Sequence, residues 1–157
     1  VLGVASLDAV ASVVDGLLSA AKAAAPDARI DGFLVQEMVS GVEAIVGVRT
    51  DPLYGPMLLV GSGGVLVELA RDAQLAMLPV DAGQVAAMID RLALARLLDG
   101  YRGKPAADRK ALEKTVTGLA RFYLDHRQEI AEIEINPLMV RSDGQGAVAV
   151  DVRVIWK

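Results

Sequence analysis

Residues 130–155 read IAEIEINPLMVRSDGQGAVAVDVRVI, and they constrain the architecture more than any other part of the sequence. Polar and apolar residues alternate on both sides of Asp143-Gly144, a dipeptide that favours a two-residue type I′ turn. We therefore predict an antiparallel hairpin with strands over 130–140 and 146–155.

The turn sets which residues of this C-terminal hairpin face each other, because a tight turn fixes the register of its strands. The pairs that we place on the polar face are Glu134 with Arg153, Asn136 with Asp151 and Leu138 with Ala149. The residues that we place on the core face are Ile133, Ile135, Val148, Val152 and Val154.

The polar face of the hairpin is a candidate metal site. Residues directly opposite each other in an antiparallel pair have Cβ atoms about 5 Å apart. Asn136, Asp151 and the nearby Glu134 would therefore present an amide oxygen and two carboxylates together, a set that suits Mg²⁺. Polar faces are also common on solvent-facing strands, where Glu134 and Arg153 would simply form a cross-strand ion pair.

The rest of the chain predicts a helix, several strands and two later helices. The first helix covers 6–25, and strands follow over 32–39, 43–50, 57–60 and 65–69, the first two joined by a short connection at 40–42. The later helices begin after Asp81 and Asp108. Their inward residues are expected to be Val85, Met88, Ile89, Leu92 and Leu97, then Leu112, Val116, Leu119 and Phe122. This order predicts one α+β domain, mostly antiparallel sheet with flanking helices.

The composition excludes several classes of protein. The 157 residues carry a net charge of -4 and 4% aromatic residues, so neither a basic patch nor stacking platforms for nucleic acid are visible. The absence of cysteine excludes disulfides and thiolate metal sites. The most apolar charge-free run, residues 52–67, contains Pro56 and four glycines and is too short to span a membrane.

Two other segments could contact a nucleotide. Gly61-Ser62-Gly63-Gly64 could let backbone N–H groups approach a phosphate, but it lacks the P-loop pattern, and a tight turn between strands explains it as well. The strand end at 36–39 could offer its backbone to an adenine edge, with Glu43 on the ribose. A buried strand followed by a turn would give the same pattern.

Four segments, in this order and spacing, carry a family resemblance: VQEMVSGVEAIVGVRTDPLYGP (35–56), GSGGVLVELARD (61–72), LLDGYRG (97–103), and EIEINPLMV (132–140) with AVDVRV (149–154). Together they resemble the ATP-grasp domain of nucleoside-diphosphate-forming (NDP-forming) acyl-CoA synthetases, relatives of succinyl-CoA synthetase β subunits. INPL and the aspartate of AVDVR are the most specific part.

The resemblance implies an ATP-grasp-like lobe and a role for each candidate residue. The backbone of Glu37 and Val39 would contact adenine, and Glu43 would hold the ribose. Asn136 and Asp151 would coordinate Mg²⁺ on the phosphates of ATP or ADP, with Glu134 as the catalytic residue beside the transferring phosphoryl group.

The function that the resemblance implies is that of the ATP-binding portion of an acid–thiol ligase in the cytoplasm. Phosphoryl groups would pass to or from a phosphohistidine on another domain or subunit, which also provides the CoA-binding segment. A non-catalytic nucleotide-sensing or scaffold domain, fused to an acetyltransferase, is the alternative. A carboxylate-pair hydrolase that uses Glu134 and Asp151 is a weaker third hypothesis.

The chain departs from the family pattern in one respect. Residues 1–157 resemble a single partial ATP-grasp domain, without the first lobe and its phosphate-binding lysine, for which Lys22 is no substitute. We therefore expect the fragment alone to be inactive, and the uncovered apolar surface to favour self-association or a partner. His126 is expected to be a surface residue, and Arg102 is a motif residue without an assigned role.

Overall fold

The computed structural model describes residues 1–64 and 72–157. It contains two compact units, Val1–Met38 and Val39–Lys157. The strand predicted over 65–69 lies outside the described residues.

The first unit contains one helix, α1 (Leu7–Ala24), which agrees with the prediction. Ser6 begins it as the N-cap, and its hydroxyl accepts a hydrogen bond from the Ala9 N–H. The strand predicted over 32–39 is wrong, because residues 28–40 form neither helix nor strand. The hairpin expected at 40–42 is therefore absent too. The strand that follows this segment pairs on both of its edges with later strands, so 32–39 cannot form a hairpin with it.

The second unit is built on a six-stranded antiparallel sheet. Its strands are β1 (Val42–Asp51), β2 (Gly55–Ser62), β3 (Ala73–Met77), β4 (Ile130–Val140), β5 (Ala147–Ala149) and β6 (Val152–Trp156). The order is β3-β2-β1-β4-β5, and β6 also pairs with β4. β3 was not predicted, since its sequence AQLAM has no β-branched or aromatic residue.

Among the described residues, three helices pack on one face of the sheet: α2 (Ala82–Asp90), α3 (Ala93–Leu98) and α4 (Arg109–His126). The predicted caps are confirmed, because Asp81 accepts from the Gln84 N–H and Asp108 from the Ala111 N–H. The single helix expected to run from 82 to Leu97 is instead two helices, since α2 ends at Asp90 and Arg91 caps it. None of the helices in the described ranges is both long and apolar enough to cross a membrane.

The inward face of α4 differs from the prediction at one position. Phe122 is 44% exposed and stacks on His126, whereas Tyr123 is fully buried. The Tyr123 hydroxyl donates to the Ala131 carbonyl at 2.9 Å, and the Thr50 hydroxyl lies 2.7 Å from it. A tyrosine can be buried here because its polar end has hydrogen-bond partners in β1 and β4.

The core lies between the helices and one face of the sheet. β1 contributes Ala44, Val46 and Val48 to it, all at most 1% exposed. Because side chains alternate along a strand, Glu43 and Arg49 lie on the other face of the sheet. We call that second face the site face.

The C-terminal hairpin has the predicted register but not the predicted faces. Leu138 faces Ala149 and Glu134 faces Arg153, as expected. Leu138, however, is buried in the core. Ala147, rather than Val148, packs against this core. A register shift between β1 and β4 explains the change, because β4 has one more residue than β1 opposite Ala44–Val46.

The same irregularity divides the last predicted strand. Residues 146–155 form β5 and β6, separated at Val150 and Asp151. There the Val150 N–H donates to the Pro137 carbonyl at 3.1 Å, and the Asn136 N–H donates to the Asp151 carbonyl at 3.0 Å. The chain therefore stays beside β4 while the side-chain alternation shifts by one residue.

Asp108 should make stability depend on pH. The Gly146 and Ala111 N–H groups donate to its carboxylate at 2.9 and 3.0 Å and lower its pKa below the usual 3.8. A lowered pKa in the folded state stabilises the protein above pH 3.8, and this contribution is lost as the pH falls through the folded pKa. In thermal melts, Asp108→Asn should lower Tm at neutral pH, and the gap to wild type should narrow as the pH falls below 3.8. A gap that is independent of pH would contradict this.

Candidate functional site

The glycine segment at the end of β2 brings two predicted site residues together. Gly64 has φ +65°, and its N–H donates to Asn136 Oδ1 at 3.2 Å. A Cβ added to Gly64 would overlap the Glu43 carboxylate. Glu43 and Asn136, which are far apart in the sequence, therefore meet at one point on the site face.

Gly63 fits closely against β1. Its N–H donates to the Glu43 carbonyl at 2.8 Å, and an added Cβ would lie 2.6 Å from the Ala44 carbonyl group. The N–H groups of Gly63 and Gly64 thus have acceptors within the protein. This disfavours a phosphate cradle, since a cradle would leave these groups free. Gly61 and Ser62 belong to β2, and the strand to which the predicted tight turn would lead lies outside the described residues.

The predicted pairing of Asn136 with Asp151 is confirmed at the backbone by the hydrogen bond between them. The Asn136 side chain is half-buried, and Asp151 is exposed. Across residues 1–64 and 72–157, no three His, Cys, Asp or Glu side chains lie close enough to hold a metal ion together. An amide oxygen and one carboxylate nevertheless fit a cation such as Mg²⁺, which takes few protein ligands and completes its shell with phosphate and water oxygens.

Glu134 lies on the site face beside a competing ion pair. Arg153 bonds directly to Glu132, and its Nη2 lies 3.9 Å from Glu134 Oε2. The cross-strand ion pair considered from the sequence is therefore present, but its closer partner is Glu132. Glu134 remains one-third exposed, with an arginine near enough to balance its charge.

Glu37 and Val39 lie in the irregular segment before β1. Glu37 belongs to the first unit and Val39 begins the second. Neither backbone makes a hydrogen bond to a described residue, so their N–H groups can donate to other partners and their C=O groups can accept from them.

A cavity of about 360 Å³ lies on the site face at the far ends of β1 and β6. Its lining residues are Arg49, Thr50, Asp51, Pro52, Ala131, Glu132 and Ile155. The N–H groups of Tyr54 and Leu53 donate to Asp51 and lower the pKa of its carboxyl, so this side chain is committed to its own turn.

Two residues outside the site have local partners. His126 was expected to be a surface residue, but it is half-buried at the end of α4. Its Nδ1 lies 2.9 Å from the Phe122 carbonyl oxygen. Arg102 has φ +52° and lies over the Tyr101 ring at 5.2 Å.

The sequence did not reveal the contact between Gly64 and Asn136, because these residues are distant in the chain.

The ATP-grasp domain profile matches residues 1–155. The chain is 36% identical over 140 residues to acetate–CoA ligase [ADP-forming] I of Archaeoglobus fulgidus, an alignment that covers 88% of this chain and 20% of that protein. It is 35% identical over 133 residues to subunit beta of acetate–CoA ligase [ADP-forming] II of Pyrococcus furiosus, with 84% and 56% covered. The chain thus spans only part of each relative.

The chain is also similar in structure to two complexes of the dinucleotide forming acetyl-coenzyme A synthetase 1 of Ca. Korarchaeum cryptofilum. The complex with coenzyme A, acetyl-coenzyme A and a phosphorylated phosphohistidine segment has a TM-score of 0.86 and 32% identity, covering 100% of this chain and 69% of that one. The complex with coenzyme A and Mg-AMPPCP has a TM-score of 0.71 and 33% identity, with 76% and 55% covered. The predicted fold class, an ATP-grasp-like α+β lobe, is confirmed.

The fit of Gly64 against Glu43 gives a testable expectation. Gly64→Ala places an L residue at positive φ, which costs about 1–2 kcal/mol, and adds an overlap with the Glu43 carboxylate. Gly55→Ala is the matched control, because Gly55 has φ +75° and open space around its α-carbon. In urea denaturation, Gly64→Ala should lose clearly more stability than Gly55→Ala. Equal losses would show that Glu43 moves aside freely.

Proposed function

Because this chain belongs to the ATP-grasp family, we propose that it is the nucleotide-binding part of an NDP-forming acyl-CoA synthetase, an acid–thiol ligase. The observation that carries the proposal is the meeting of Glu43, Gly64 and Asn136 on the site face, with Asp151 paired to Asn136. The reaction of the whole enzyme is part of the proposal, since the chain spans 56% of the related beta subunit.

Asn136 and Asp151 would hold the Mg²⁺ of Mg-ATP or Mg-ADP. Bound there, the cation would neutralise phosphate charge during phosphoryl transfer. The half-buried amide of Asn136 has its orientation fixed by Gly64, and the exposed carboxylate of Asp151 is accessible to a ligand from solvent. The complex of the Korarchaeum protein with Mg-AMPPCP supports this choice of cofactor.

The nucleoside would be held by residues around the start of β1. We assign the ribose hydroxyls to the exposed Glu43 carboxylate and the adenine edge to the backbone of Glu37 and Val39. Backbone groups that make no hydrogen bond to any described residue suit this role, because an adenine edge carries one hydrogen-bond donor group beside an acceptor nitrogen.

We place Glu134 beside the transferring phosphoryl group as the catalytic residue. It lies on the site face, two residues before Asn136 and near Arg153. In phosphoryl transfer most of the rate enhancement comes from positioning and electrostatic stabilisation, and a fixed carboxylate next to a cation can orient an incoming imidazole.

The partners would be the other portions of the synthetase. Residues 1–157 would form part of one ATP-grasp domain, and the remaining domains or subunit would supply the CoA-binding and phosphohistidine segments. Self-association and a cytoplasmic location remain predictions.

Removal of either metal ligand should weaken nucleotide binding. In calorimetry on the full-length protein, Asn136→Ala and Asp151→Ala should each weaken Mg-ATP affinity by about tenfold or more, because even residues behind a metal ligand can contribute that much. Asp143→Ala, in the exposed turn of the same hairpin, is the control and should bind as wild type. Unchanged affinity in both ligand variants would defeat the metal assignment.

Glu134→Gln should separate catalysis from binding. The variant should keep its Mg-ATP affinity while phosphohistidine formation from labelled ATP slows by about 100-fold or more, as when one stabilising group is lost. Glu129→Gln, an exposed carboxylate just before β4, serves as the control. A wild-type protein that binds Mg-ATP without any phosphoryl transfer would instead support the sensing or scaffold alternative.

A further inference from the structure

Asp72 makes an unusual set of hydrogen bonds just after the undescribed residues. Its carboxylate accepts from the Ser62 hydroxyl at 2.5 Å and from the Ala93 and Leu94 N–H groups at 2.9 and 3.1 Å. Ser62 is 4% exposed, and among the described residues it is the one polar residue that is buried. A single carboxylate thus joins the end of β2 to the start of α3.

Helix α3 depends on this distant residue for its N-terminus. The residue in its N-cap position is Leu92, whose side chain makes no capping hydrogen bond. Asp72 supplies the missing acceptor from 21 residues away, and its negative charge suits the positive end of the helix. The position of Asp72 is therefore fixed by the helical layer behind the sheet.

From Asp72 a continuous run of contacts leads to the site. The Ser62 N–H donates to the Asp72 carbonyl at 2.9 Å, so both its backbone and its hydroxyl are held. The next residue, Gly63, donates to the Glu43 carbonyl at 2.8 Å, and Gly64 donates to Asn136 Oδ1 at 3.2 Å. The end of β2 is thus fixed by Asp72 on one side and by β1 on the other.

The last of these bonds determines what Asn136 can offer to a ligand. An amide side chain presents an oxygen on one side and an NH₂ group on the other, and only the oxygen can bind a cation. The Gly64 N–H selects the orientation in which the oxygen faces it, and the second lone pair of that oxygen remains available.

We propose that Asp72 is a positioning residue for the metal site, acting through Ser62 and Gly64 on the orientation of the Asn136 amide. This inference rests on the proposed function, because it assumes that Asn136 Oδ1 binds Mg²⁺. Groups that orient a metal ligand commonly change metal affinity when they are removed, although they never touch the ion.

The experiment compares two helix caps in the full-length protein. Asp72→Asn should weaken Mg-ATP affinity by about tenfold and leave the weaker affinity for ATP measured in EDTA unchanged. Asp81→Asn is the matched control, because Asp81 caps α2 through the Gln84 N–H at 2.8 Å and lies outside the run of contacts to Gly64. Both variants should lower Tm, but only Asp72→Asn should weaken Mg-ATP binding.

Ser62→Ala keeps the proposal testable if Asp72→Asn fails to fold. It removes the hydroxyl link and leaves the Asp72 bonds to α3 in place, so it should weaken Mg-ATP affinity with a smaller loss of Tm. If Asp72→Asn and Ser62→Ala bind Mg-ATP as wild type while Asn136→Ala does not, Asp72 is a helix cap alone and the inference is overturned. If Asn136→Ala also binds as wild type, the proposed function itself fails.

Discussion

The register shift in the pairing of β1 with β4 is the constraint on which the site depends. Before the shift, Ile133 and Ile135 face the core, and after it Leu138 does. Strict alternation would have placed Leu138 on the site face, outside the core between the sheet and the helices. Because β4 has this extra residue, Asn136 remains on the site face while the apolar residues that precede and follow it in the strand are buried in the core. A β-bulge near a functional site often re-aims a side chain in this way.

The C-terminal hairpin shows how far the sequence alone can lead. Its register and the position of its turn were predictable, because Asp143-Gly144 and the alternation around it are local signals. The predicted type I′ turn is wrong, because Gly144 has φ +75° but Asp143 lacks the positive φ that this turn type also requires. The faces were not, because the shift arises from pairing with β1, about ninety residues earlier. The same limit explains the wrong strand at 32–39, where the composition favours a strand but the neighbouring strand has no free edge.

Only the part of the candidate site that depends on local sequence was predicted. Asn136, Asp151 and Glu134 share a short hairpin, so local spacing could bring them together. The proximity of Glu43 and Gly64 to Asn136 depends on the order of β2, β1 and β4 in the sheet, which no local pattern specifies. Arg153 lies closer to Glu132 than to Glu134, although both carboxylates lie on the same strand. This preference depends on side-chain conformation, which the sequence pattern does not specify.

The glycine segment links these long-range contacts, and its composition follows from them. Gly63 must be small because β1 passes within contact distance, and Gly64 must be small because the Glu43 carboxylate occupies the space of a side chain. Glycine also adopts positive φ readily, as the backbone at Gly64 requires. A segment that could have been a phosphate cradle is therefore better explained as a brace for polar side chains. Its backbone donors set the geometry of a carboxylate and an amide, and those side chains are left to meet the ligand. Rigid support of this kind reduces the reorganisation needed when a charged ligand binds.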